Sequence, residues 1–170
     1  MAILTQQKIK EVDQEAAKVL STIYNDGNVE LPVDIGAIAK NYGLEIKSIK
    51  FPTPDIVGAY DRETKTIYIA EGTPFQRLTF TIAHELGHYI LHGSTKTREI
   101  YYRTNYLDLD KQNGDEETHA NWFAASLLMP EELVKKEWEN NKDPIKLADI
   151  FGVSKTAMMF RLQHLGFSLK

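Results

Sequence analysis

The stretch TIAHELGHYILHG, Thr81 to Gly93, holds three of the chain's five histidines and sets a glutamate directly after the first of them. His84 and His88 are four residues apart. On an α-helix that spacing puts them about 40° from each other and one turn apart along the axis, so two imidazole nitrogens can reach one ion. Glu85 falls beside them, close enough to meet a water held at that ion without being placed to bind the ion itself. This is the logic of the H-E-x-x-H pattern of zinc peptidases: two ligands and a carboxylate that takes the water's proton. Chance assembles the pattern in a chain of this composition with a probability of roughly 1%.

The helix carrying it is expected to start at Thr73-Pro74-Phe75-Gln76, where Thr73 can cap, Pro74 suits the first turn and Gln76 completes a capping box, and to reach about His92. Phe75, Leu78, Ile82 and Leu86 form one apolar stripe, and His84 and His88 project about 180° to 220° away from it. Phe80 and Leu91 flank the histidines, so the second face is expected to be a covered cleft wall. Gly87 costs about 1 kcal/mol relative to alanine inside a helix, which a close neighbour would explain. His92 continues the row, but it lies about 12 Å from His84 along the axis, whereas Zn–N distances are about 2 Å. Its expected role is at the helix C-terminus.

A catalytic zinc site needs three protein ligands and an open position, so a further His, Asp or Glu must come from elsewhere. GDEETHANWFAASLLMP, Gly114 to Pro130, offers Asp115, Glu116, Glu117 and His119. Drawn as a helix, Glu117, Asn121, Ala124 and Leu128 share one stripe with Ala120 beside it. His119 points to nearly the opposite side with Ser126, and Glu116 sits toward an edge. Glu117 is therefore the expected third ligand, and the small residues near it would let this helix approach Gly87. DLDKQNGDEETH, starting at Asp108, is not a calcium loop, because its glycine is one place late and its twelfth residue is His119.

The remaining chain suits one soluble domain. Its 170 residues are 42% hydrophobic, and the net charge of -4 is spread without a long run of one sign, so bulk electrostatics recruits neither nucleic acid nor membrane. Absence of cysteine removes disulfides, thiolate nucleophiles and zinc ribbons, leaving imidazole and carboxylate as metal ligands. MAILTQQKIKE has no apolar signal core, and no stretch approaches the roughly 20 apolar residues of a membrane span, so a cytoplasmic location is expected. Ile9, Val12, Ala16, Val19, Leu20 and Ile23 recur at helical spacing, and a shorter helix is expected from Asp34 toward Tyr42 with Gly43 as its stop. LEIKSI, IVGAY and TIYIAEG read as a small antiparallel sheet, EIYYR as a further strand, and 115–129, 131–140, 145–151 and 154–165 as helices.

The motifs AHELGHYILH (83–92) and ETHANWFAASLLMP (117–130), flanked by LPVDIGAIAKNYGLEI (31–46) and LADIFGVSKTAMMFRLQHLGF (147–167), resemble the ImmA/IrrE family of zinc metallopeptidases. The likeness covers most of the chain from Leu31 onward. It implies an α+β, zincin-like (gluzincin-type) metallopeptidase, a single domain over residues 1–170 with a helical C-terminal segment, about 131–170, packed on it. It implies Zn2+ as cofactor, His84, His88 and Glu117 as metal ligands, and Glu85 as base. The implied partner is a protein substrate, typically a helix-turn-helix repressor of a mobile element, prophage or stress regulon, with no direct nucleic-acid contact and no membrane. His119 departs from the Glu or Gln frequent in the family, at a position expected to face away from the site. Some relatives append a sensor domain; this chain is expected to respond to its signal differently. An oxyanion donor is not singled out among Tyr101, Tyr102, Tyr106, His119 and Arg161, and substrate is expected to lie extended along an edge of the sheet.

Two rival readings remain. LADIFGVSKTAMMFRLQHLG looks like a helix-turn-helix, but after Ser154-Lys155-Thr156 come Ala157, Met158, Met159 and Phe160, too apolar to read base edges, with only Lys155 and Arg161 cationic. A non-catalytic anti-repressor or antitoxin-like partner could keep the metal as a staple, but a structural zinc wants a closed fourth position and no convincing fourth ligand is found.

Overall fold

The structure, a computed structural model, describes residues 5–93, 98–102 and 115–168, the middle stretch by its backbone alone. Helix α1 (Gln6–Ile23) begins where the Thr5 hydroxyl accepts from the Lys8 N–H, and it buries Val12, Ala16, Val19 and Leu20 on one face. Helix α2 (Ile35–Asn41) is capped by the Asp34 carboxylate, which accepts from the Ala37 N–H, and it ends at Tyr42 and Gly43 as expected.

Strands β1 (Glu45–Ile49), β2 (Ile56–Asp61), β3 (Thr66–Ala70) and β4 (Arg98–Tyr102) form one sheet in the order β1-β3-β2-β4. The β2–β3 hairpin is turned by Asp61, whose side chain accepts from the Glu63 and Thr64 N–H groups. β4 pairs antiparallel with the other side of β2. The sheet is nevertheless mixed where the sequence suggested antiparallel pairing throughout, because β1 runs parallel to β3. The chain reverses between β1 and β2 and again between β2 and β3, so β1 and β3 point the same way. With β2 enclosed by β3 and β4, the free edge of β3 is where β1 can add.

Helix α3 (Phe75–Leu91) starts with Pro74 in the capping position and no side-chain cap. The expected capping box is absent, because the Thr73 hydroxyl donates back to the Ala70 carbonyl at 2.6 Å. Phe75, counted in the apolar stripe, is 60% exposed, its ring standing beside Gly152 and ahead of the buried run from Thr79 to His88. From Thr79 to His88 the helix is buried almost all round. The sheet covers one side of it, and α4 (Asp115–Leu128) covers the other.

Helices α5 (Glu131–Asn141), α6 (Pro144–Phe151) and α7 (Lys155–His164) complete the chain. Phe151, Met158 and Leu162 enter the same core as Val12, Ile67, Leu86 and Phe123. Buried Arg161 donates from Nε to the Met129 carbonyl at 3.1 Å and lies 3.6 Å from Asp13 of α1, whose carboxylate also accepts from Ser126 of α4. Three helices thus meet at one ionic contact. Among the described residues, no helix is long and apolar enough to cross a membrane.

Gly87 explains the approach of α3 to α4: a Cβ there would stand 3.0 Å from a Phe123 ring carbon and 3.3 Å from both the Cα and the carbonyl oxygen of Ala120. Two of those neighbours are backbone and cannot swing away. Gly87→Ala gains about 1 kcal/mol of helix propensity but overpacks the contact by about 1–3 kcal/mol. The urea midpoint of the variant is expected to fall; a midpoint equal to or above that of the parent would show that the helices are not held this tightly.

Candidate metal centre

The i, i+4 spacing on α3 brings the Nε2 atoms of His84 and His88 to 3.1 Å, with ring centroids 4.7 Å apart. Helix α4 brings the Glu117 carboxylate against both, Oε2 at 3.4 Å from His84 Nε2 and Oε1 at 3.1 Å from His88 Nε2. One ligand atom from each residue lies within 4.8 Å of the others, and among the described residues this is the group of His, Asp and Glu with that property. Glu117, chosen over Asp115, Glu116 and His119 from its helical stripe, is thus the carboxylate that meets the histidines. Two imidazoles and one carboxylate, carried on buried helices, are a donor set that fits zinc.

Glu85 is fully buried and stands outside that cluster, on the side of α3 that meets the sheet. A Cβ at Gly58 would come within 2.6 Å of Thr81 Cγ2 and 3.3 Å of Glu85 Oε1, so contact with Thr81 demands glycine where β2 passes beside this carboxylate. The register of β2 against β4 slips between Ile56 and Gly58, next to the same point. Bulges of this kind recur beside active sites, where they re-aim a strand.

At His88 and Glu117, electrostatics favours the protonation states that ligands need. Burial disfavours the imidazolium of His88 and, against the pull of the Glu117 hydrogen bond, lowers its pKa to about 4. Burial alone would raise Glu117, but hydrogen bonds from His84 and His88 and their charge outweigh it, leaving a pKa of about 2. Neutral imidazole and ionised carboxylate are the metal-binding forms. On the far side of the His84 ring, Nδ1 lies 2.8 Å from Asn121 Oδ1. In the sequence Asn121 shares the stripe of Glu117 without an evident task, and its position one turn beyond that carboxylate is the signal that points to this contact.

His92 caps α3, its N–H donating to the His88 carbonyl at 3.0 Å, and lies outside the group formed by His84, His88 and Glu117. Its ring lies 5.7 Å from that of His88 and stacks on His119 at 5.7 Å, with planes 20° apart. His119 was expected to face away; instead the first turn of α4 lies against the end of α3, so its ring meets His92. Burial lowers the pKa of both histidines. Arg161 is bound to Met129 and Asp13, which removes it as an oxyanion donor. Tyr106, the side chains of Tyr101 and Tyr102, and most of the rejected calcium-loop segment lie outside the described residues.

The pKa of His88 carries a stability consequence in protein stripped of metal. The unfolded chain takes up this proton near 6.5, the folded chain only near 4, so the unfolded state binds more protons between these values. The His88 contribution therefore lowers stability as pH falls through that window. Urea midpoints of chelator-treated protein should drop more steeply from pH 6.5 to 4 than those of His88→Gln; parallel slopes would contradict the buried neutral imidazole.

No curated protein matches this chain. Among solved structures, a Mycobacterium tuberculosis transcriptional regulator shares the fold with a TM-score of 0.64 at 16% identity, the match covering 94% of this chain and 47% of that one. The chain thus spans about half the length of that regulator. Residues 39–163 match the Peptidase_M78 family, described as the IrrE N-terminal-like domain. That span is most of the chain and includes both helices that converge on the cluster, and the chain therefore belongs to this family of metallopeptidases.

Proposed function

We propose that the chain is a zinc-dependent endopeptidase of the H-E-x-x-H type in which His84, His88 and Glu117 hold the metal and Glu85 is the base. The observation that carries this reading is the meeting of two Nε2 atoms and one carboxylate, from two helices 29 residues apart along the chain at the nearest ligands (117 − 88), beside a buried Glu85. The whole of 1–170 is taken as one domain, with 131–170 packed on it through Phe151, Met158 and Leu162.

A bound divalent cation supplies Lewis acidity, lowering the pKa of water toward about 7 and polarising the scissile carbonyl. The protein supplies the proton handling. Glu85 accepts the proton from the attacking water and returns it to the leaving amine. Main-chain pairing with an edge of the sheet would hold an extended substrate, and β4, the edge strand beside β2 and hence nearest Gly58 and Glu85, is the edge we assign to it. The substrate is proposed to be a helix-turn-helix repressor cleaved in the cytoplasm, on the strength of the motif resemblance.

The rival readings lose support from particular contacts. In α7, Met158 and Leu162 are core residues and Arg161 is engaged internally, leaving Lys155 as the cation free to meet DNA on that helix. A structural staple would need a fourth donor, and the group found among the described residues has three.

Three outcomes are expected. Incubation with candidate helix-turn-helix repressors should give discrete fragments that disappear with chelator and return with zinc. Glu85→Gln should retain zinc and the parent fold while losing cleavage by about 100-fold or more; full activity in that variant would remove Glu85 from the base role. The chain alone should bind duplex DNA no better than other acidic proteins at moderate salt, and tight sequence-specific binding would reinstate the regulator reading.

A further inference from the structure

Asn121 stands one helical turn beyond Glu117 on α4, just as His88 stands one turn beyond His84 on α3. The two pairs face each other across the contact between Gly87 and Ala120. Glu117 reaches the Nε2 side of His84, and Asn121 reaches its Nδ1 side at 2.8 Å. One imidazole is thus gripped at both nitrogens by the same face of one helix.

We propose that Asn121 is a positioning residue that fixes His84 as its Nδ1–H tautomer and holds the ring so that the Nε2 lone pair points at the space shared with His88 and Glu117. The proposal rests on the metal-centre reading above. A neutral imidazole carries one proton and one lone pair, so Nε2 can ligate only if the proton sits at Nδ1. A hydrogen-bond acceptor at Nδ1 selects that tautomer, and the amide oxygen of Asn121 provides it.

Backbone contact sets the reach. Ala120 and Ala124, both fully buried, flank Asn121, and Ala120 lies where Gly87 leaves no Cβ between the helices. At that separation the short asparagine side chain spans the gap to the ring. The amide also brings no charge, so His84 is oriented without a second anion being added beside Glu117.

The test compares the parent with Asn121→Leu, Asn121→Asp and His84→Ala, using zinc alone as probe in competition with a chromophoric chelator, and long-range 1H–15N spectra of the zinc-loaded proteins. Asn121→Leu should weaken zinc binding about 10- to 100-fold with helix content retained. Asn121→Asp, which restores an acceptor, should recover most of that loss. In the parent, His84 should appear as the Nδ1–H tautomer. Zinc affinity in Asn121→Leu within twofold of the parent, while His84→Ala loses it, would overturn the positioning role and leave the metal centre standing. Equal affinity in the parent and His84→Ala would instead sink the metal centre, and the role of Asn121 with it.

Discussion

The backbone approach of α3 to α4 at Gly87 and Ala120 governs both the core and the site. A helix pair held apart by ordinary side chains would leave Glu117 short of the histidines. Here the absence of a Cβ on one helix and a methyl on the other bring carboxylate and imidazoles to 3.1–3.4 Å. The same closeness buries the histidines, and burial keeps His88 neutral. Packing and chemistry at this contact are a single constraint.

The outer elements reinforce it from behind. α1 lies on the face of α4 remote from α3, where Asp13 accepts from Ser126 and meets Arg161 of α7. Arg161 in turn donates to the Met129 carbonyl, at the end of α4. A buried guanidinium is costly to leave unpaired, so these partners hold three helices in one arrangement. On the opposite side the sheet presses glycine rather than a side chain against Glu85. The helix of the histidines is therefore confined on each flank.

Much of this was legible because helix periodicity is a local property. The spacing of His84 and His88, the stripe of Glu117 with its small neighbours, and the starts at Asp34 and Ser154 follow from residues within a turn or two of one another. What the sequence hid was set by contacts distant in the chain. Thr73 had two possible partners, and the Ala70 carbonyl won over the helix N-terminus. The direction of β1 depends on which edge of the hairpin remains open, which no strand encodes in itself. His119 was placed by a wheel that contains only its own helix, whereas its ring answers to His92 on another. Asn121 was visible as a position, but its function appears only when the imidazole across the interface is known.

The span that marks the family starts at residue 39, after α1 has ended at Ile23. Yet α1 contributes Val12, Ala16 and Val19 to the shared interior and Asp13 to the tie with Ser126 and Arg161. A fragment cut to the recognisable region would shed one wall of its own interior and strand a cation there. The interior is thus built by more of the chain than the span that marks the family.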